Sequence, residues 1–214
     1  MASLLQPEAR LTPAEYLAME RQAETKSEYW AGEVYDVAGA SEAHNLITAN
    51  LVIRLGLQVV GRPCKVYTGD MRIKVARAGL YTYPDVTVVC GRARFEDGQR
   101  DTLLNPTLIV EVLSPSTESY DRGAKFESYR LLESLTDSLL VSQHSPTIEH
   151  YARQSDYRWL LTTYKGTEAI VSLSSIGCEL RVAEVYDKVE WPGEDARSQR
   201  IRVVKELPQP YTAA

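Results

Sequence analysis

This chain lacks most of the marks that would assign it a class at sight. No apolar run approaches the roughly 18 residues of a membrane span. The opening Met1-Ala2-Ser3-Leu4-Leu5-Gln6-Pro7-Glu8 has neither a basic stretch nor a long apolar one. Both absences predict a cytoplasmic protein with no signal peptide and no membrane partner. Cysteine is scarce: Cys64, Cys90 and Cys178 are odd in number and far apart. They fit no CxxC pattern and predict buried free thiols rather than a disulfide framework. An HxxxH pair, a GxSxG elbow and a Gly-rich phosphate loop ending in Lys-Ser/Thr are all missing. Zinc protease, serine hydrolase and P-loop NTPase readings therefore lack support. An excess of positive charge is also missing, since the net charge is −5. Bulk charge alone would not hold this protein on nucleic acid.

What is present is enough for one domain with a real core: 214 residues, 44% hydrophobic and 25% charged. The charge is uneven. Between Arg62 and Arg100 eight Lys/Arg face four acids, so that segment is +4 and the rest of the chain −9. A basic face there would suit a polyanionic substrate; a solvated hairpin surface explains the same charges.

Thr12-Pro13-Ala14-Glu15 predicts a helix start, with a Thr N-cap, Pro at the first helical position and a Glu that completes a capping box. That helix is expected to run to about Glu24. Glu28 to Val37 predicts two short strands around Ala31-Gly32. Ser41 is expected to cap a second helix to about Val60, with Leu46, Ala49, Ile53, Leu57 and Val60 as its apolar stripe. Strand signals follow at 65–68, 71–75 and 85–90, a polar loop at 92–105, then a continuous apolar strand at 107–113. Asp121 reads as the cap of a helix over 122–133. Strand-like runs at 138–142, 147–153, 158–164 and 169–172 precede a short helix at 182–188. Hairpins mixed with a strand–helix–strand unit predict an α/β or α+β domain around a mixed sheet.

Two acids stand out. Asp85 follows Tyr83-Pro84 at the start of an apolar strand, and Glu111 interrupts Leu108-Ile109-Val110-Glu111-Val112-Leu113. Buried strands seldom hold a carboxylate unless it is paired or binds a metal. Mg²⁺ takes one or two carboxylates plus phosphate oxygens, and it can activate water and counter charge in phosphodiester cleavage. Asp85 and Glu111 are candidate ligands, the Val112 carbonyl is a third donor, and Lys125 is a candidate for charge stabilisation. A core ion pair, or a place on the solvent face of an edge strand, explains Glu111 equally well. His44 is either a hydrogen-bond partner and proton carrier beside the site or a solvated helix-start residue. His144 and His150 flank a hairpin and carry no catalytic expectation.

At these residues the chain resembles the Uma2 family of the PD-(D/E)XK nuclease superfamily. The matching runs are Leu11–Leu17, Ser27–Tyr35, His44, Tyr83–Val86, Leu108–Thr117, and Asp121-Arg122-Gly123-Ala124-Lys125 leading to Tyr129. The resemblance implies a restriction-endonuclease-like fold, a central mixed sheet flanked by helices. It also implies an endonuclease hydrolysing DNA with Mg²⁺ or Mn²⁺, with Asp85 and Glu111 as ligands. The superfamily lysine lies two residues after the second acid, where this chain has Leu113; the family lysine corresponds instead to Lys125. A further pocket acid is implied at Glu28, with Glu33 as competitor. Residues 11–190 form the expected nuclease domain, 1–10 an extension and 191–214 a tail. The chain departs from the family at Leu135–Gln143, where Val-Pro-Glu-Tyr-Trp-Leu-Val-Asp-Pro is usual. A silent nucleic-acid- or protein-binding module, a nuclease acting on RNA or structured DNA, and a homodimer stay open at this point.

Overall fold

A computed structural model describes residues 10–37 and 39–191. The first helix, α1 (Pro13–Glu20), starts as its capping box predicts. The Glu15 amide donates to the Thr12 hydroxyl at 3.3 Å, and Glu15 Oε2 takes the Thr12 amide at 2.7 Å. The hairpin follows as β1 (Ser27–Trp30) and β2 (Glu33–Asp36), turned at Ala31 and Gly32, both at positive φ. Next come α2 (Glu42–Gln58), β3 (Cys64–Thr68), β4 (Arg72–Val75), β5 (Leu80–Thr82), β6 (Val86–Cys90), β7 (Thr102–Leu103) and β8 (Leu108–Leu113). The second half holds α3 (Glu118–Tyr120), α4 (Phe126–Tyr129), β9 (Asp137–Ser142), β10 (Thr147–Arg153), β11 (Trp159–Lys165), β12 (Ile170–Leu173), β13 (Cys178–Arg181) and α5 (Val182–Val185).

The central sheet is mixed and six-stranded, in the order β11-β10-β9-β8-β6-β3, with β8 and β9 parallel and the other pairs antiparallel. A parallel pair needs a crossover, and the helical segment between Glu118 and Tyr129 supplies it. The expected hairpin does not join this sheet. It belongs to a second, five-stranded sheet, β2-β1-β5-β4-β7, and a two-stranded ribbon, β12-β13, stands apart. β5, β7 and β13 are too short or too mixed in pattern to signal in the sequence. The chain leaves the second sheet at Thr82 and enters the central one at Val86, so Tyr83-Pro84-Asp85 is the joint between them.

Several expectations are corrected. The apolar stripe of α2 is the other one: Ile47, Leu51 and Leu55 are fully buried, while Ile53, Leu57 and Val60 are exposed. Both stripes are apolar, and only packing against the sheet chooses between them. Leu51→Ala should cost about 2–5 kcal/mol and Leu57→Lys no more than about 0.5 kcal/mol, measured by urea unfolding. Cys64 and Cys90 are not free thiols. They face each other in register across β3 and β6 and are disulfide-bonded, whereas Cys178 is free and buried. Strand register, invisible in the spacing, creates that pair. Trp191 is not loose, since its indole donates to the Gln143 carbonyl at 2.9 Å. The rest of the expected tail, and residues 1–9 of the expected extension, lie outside the described residues. Among the described residues no helix is long and apolar enough to cross a membrane.

Candidate functional site

Register decides where the two strand acids meet. Val86 pairs with Val110, which makes Asp85 and Glu111 the next residues along the same antiparallel ladder. The bond confirms the approach: the Val112 amide donates to Asp85 Oδ2 at 2.7 Å. The other carboxylate oxygen, Asp85 Oδ1, lies 3.2 Å from His44 Nε2. His44 is in the first turn of α2, whose Ser41 cap accepts the His44 amide. The histidine therefore stands beside Asp85 and is not a solvated helix start.

Lys125 arrives from the crossover. The expected helix over 122–133 is broken there. A wide, π-type turn at Asp121–Lys125 separates α3 from α4, with Gly123 off helical geometry at φ −103°, ψ −107°. Such turns recur at functional sites. This one buries Asp121 and Lys125 together, so Asp121 does not cap a helix and faces the pocket instead. The Lys125 ammonium sits 3.1 Å from Glu111 Oε1, 3.2 Å from Glu28 Oε1 and 3.4 Å from Asp121 Oδ1. Its i,i+4 spacing from Asp121 was the signal for that fourth acid.

Glu28 reaches the pocket from the second sheet. β1 pairs with β5 through Tyr29–Tyr81, and Glu28 accepts the Thr82 hydroxyl and, at 3.4 Å, the Tyr120 phenol. Glu33 does not reach it. That side chain is more than half exposed, accepts the Tyr35 phenol at 2.5 Å and lies 3.8 Å from Arg10. Tyr129, fully buried, closes the floor by donating to Glu111 Oε1 at 2.5 Å. Glu111 Oε1 thus takes both Lys125 and Tyr129, and Oε2 makes no hydrogen bond among the described residues. Side-chain exposure falls from 21% at Asp85 to 5% at Glu111 and 4% at Asp121, so the pocket opens at Asp85.

Three carboxylates share one ammonium here, and Asp85 stands beside them. Burial and the nearby Asp121 and Asp85 push the Glu111 carboxyl up to about 8, against the pull of Lys125. Burial raises Asp121 as well. Lys125 is also buried, but its acidic neighbours hold it well above the ordinary lysine range, so it stays an ammonium. The site is short of positive charge. Hard oxygen donors and uncompensated negative charge suit a small divalent cation. Among the described residues no three His, Cys, Asp or Glu side chains close around one point as a preformed cage.

His150, read as catalytically silent, is buried against Asp137 at 2.6 Å. Asp137 pairs with Leu108, at the far end of β8 from Glu111. The Leu135–Gln143 departure supplies β9, a buried core strand that pairs with β8 and sets Leu140 beside Glu111; among the described residues none of its side chains hydrogen-bonds the pocket acids or Lys125.

Comparison with known proteins agrees with this architecture. A family described as "Uma2: Putative restriction endonuclease" matches residues 13–183. The uncharacterized protein sll1609 of Synechocystis sp. is 41% identical over 164 residues, covering 77% of this chain and 93% of its own. A second uncharacterized protein of that organism, slr1290, is 37% identical over 180 residues, covering 84% and 93%. Among solved structures, a "putative nuclease belonging to DUF820" from Anabaena variabilis superposes with a TM-score of 0.68 at 17% identity, over 84% of this chain and 99% of the other. That likeness establishes the shared fold.

Proposed function

The chain belongs to the Uma2 family of restriction-endonuclease-like proteins, and from that premise we propose that it is a metal-dependent endonuclease hydrolysing DNA phosphodiester bonds. One observation carries the reading: Glu111, Glu28 and Asp121 converge on the single ammonium of Lys125 where the two sheets join, with Asp85 beside Glu111 on the neighbouring strand. Asp85 and Glu111 would hold Mg²⁺ or Mn²⁺. Such an ion supplies Lewis acidity to the phosphate and lowers the pKa of a bound water.

The protein's own groups do the rest. The Val112 amide and His44 fix the plane of the Asp85 carboxylate, so its oxygens are oriented before any substrate arrives. Tyr129 and Lys125 fix Glu111 through one oxygen and leave the other available. Acidic neighbours hold Lys125 well above the ordinary lysine range, which favours a charge-stabilising role over that of a base. Its role is to place positive charge beside the phosphate as negative charge builds on the phosphorus oxygens. Glu28 and Asp121 hold that ammonium in place.

Supercoiled plasmid incubated with Mg²⁺, Mn²⁺ or EDTA tests the reading. Nicking or linearisation with either metal, absent in EDTA and in Asp85→Asn, is the expected result. DNA binding with no cleavage under either metal would assign the fold to a binding module instead. His44→Ala should raise the metal concentration for half-maximal cleavage roughly 10–100-fold, the usual effect of losing a group that orients a ligand. An unchanged metal requirement would remove His44 from the site.

A further inference from the structure

Apart from Arg77, which is exposed just after β4, the unpaired positive charge between Arg62 and Arg100 gathers in one place. Its acids are already occupied. Glu96 accepts Lys74 at 2.5 Å, Asp97 accepts Arg21 at 2.7 Å and Asp70 accepts Lys26 at 2.9 Å. Arg21 and Lys26 come from outside the segment, so its own cations are left in further excess. Arg72 is spent on Asp101, and Arg62 on the Ile176 and Gly177 carbonyls. Lys65, Arg92, Arg94 and Arg100 form no ion pair among the described residues, and all four are exposed.

These four line one open cleft of about 800 Å³. The loop that carries three of them is firmly built. Phe95 bridges Leu103, the Leu104 amide donates to the Arg94 carbonyl at 2.9 Å, and Asn105 bonds both the Arg94 amide and the Arg92 carbonyl. Arg100 lies over the Phe95 ring at 4.8 Å. The cations therefore sit on a fixed frame.

The cleft is separate from the carboxylate pocket. β6 begins just after Asp85 and ends at Cys90, and Arg92 and Arg94 follow. Five residues of strand put the two sites about 17 Å apart. β3 forms the sheet edge between them. Lys65, near its start, faces the cleft, and Thr68, at its end, pairs with Val86 beside Asp85.

We infer that this cleft docks the phosphodiester backbone of a DNA duplex, several base pairs from the bond that is cut. Exposed guanidinium groups on a fixed loop match a row of phosphates. About 17 Å corresponds to roughly five base pairs. A small anion is a poor fit, because the cleft is wide and its donors are exposed. The inference takes the identity of the polyanion from the nuclease reading and nothing else.

The test is fluorescence anisotropy with a labelled 30-base-pair duplex and the full chain in EDTA, across a salt series. The variant Arg92→Gln/Arg94→Gln/Arg100→Gln should bind at least roughly tenfold more weakly, with the slope of log affinity against log salt reduced by roughly 2–3. Circular dichroism shows whether the variant is folded, and Arg100→Gln alone should lower the slope by roughly one. Lys165→Glu, on the far sheet edge, should change neither quantity. Equal binding by the triple variant, an equal loss in Lys165→Glu, or tighter binding of polyglutamate than of DNA would each overturn the assignment. Failure of the nuclease reading appears separately, as absent cleavage by a protein that still binds.

Discussion

Glu111→Gln loses metal-dependent cleavage by on the order of a hundredfold or more, and its metal-free form melts higher than the wild type at alkaline pH. Both effects come from one crowded carboxylate. In the unfolded chain Glu111 ionises at its ordinary 4.5, and in the folded pocket only at about 8. Between those values the folded state holds the proton more tightly. The stabilising contribution is therefore complete below pH 4.5 and is lost as pH rises through 8. Glutamine keeps the shape, stays neutral and escapes that loss. Thermal melts in EDTA from pH 5 to 9, beside the plasmid assay, read both consequences. The wild type should lose stability across the window and regain it with Mg²⁺, while the variant should show a flatter profile. A variant that cuts like the wild type would end the metal-ligand role. One that melts lower at every pH would make Glu111 a structural partner of Lys125 instead.

Lys125→Met has the opposite signature. It removes the one ammonium that three carboxylates share. Breaking a buried ion pair by deleting one partner costs about 3–5 kcal/mol, and in a domain of this size that is roughly 6–20 °C in melting temperature. Stability should fall most above neutral pH, where the abandoned carboxylates must ionise. Millimolar Mg²⁺ should restore part of it, because a divalent ion replaces the missing charge, yet cleavage should stay absent. Differential scanning calorimetry with and without Mg²⁺ measures the restoration. If metal stabilises the variant no more than the wild type, the pocket does not gather its charge around a cation.

These two outcomes separate a catalytic centre from a buried structural network. A network optimised for stability would lose on both substitutions. A site held short of positive charge gains from removing an acid and loses from removing the lysine. That asymmetry follows from geometry, since burial and the neighbouring Asp121 and Asp85 raise the cost of ionising Glu111.

By itself the sequence determined the capped start of α1, the β1–β2 hairpin, the β8 and β9 strand cores, and the order acid, acid, lysine that carries the family resemblance. Those features are local: a capping box, a two-residue turn, an apolar run and a spaced motif need no distant partner. It also marked Glu111 as an anomaly, because a carboxylate inside Leu-Ile-Val-Glu-Val-Leu must be satisfied somewhere. Everything that depends on which segments meet was left to the tertiary structure. Strand register put Asp85 beside Glu111 and joined Cys64 to Cys90. The pairing of β1 with β5, which leaves β2 at the sheet edge, chose Glu28 over Glu33. Packing buried Ile47, Leu51 and Leu55 and left the equally apolar Ile53, Leu57 and Val60 outside. A wide helical turn made Asp121 a fourth pocket acid rather than a cap. Tertiary packing brought Lys65 of β3 beside Arg92, Arg94 and Arg100 in one cleft. Local patterns are written in neighbouring residues, whereas charge balance and burial belong to the whole fold.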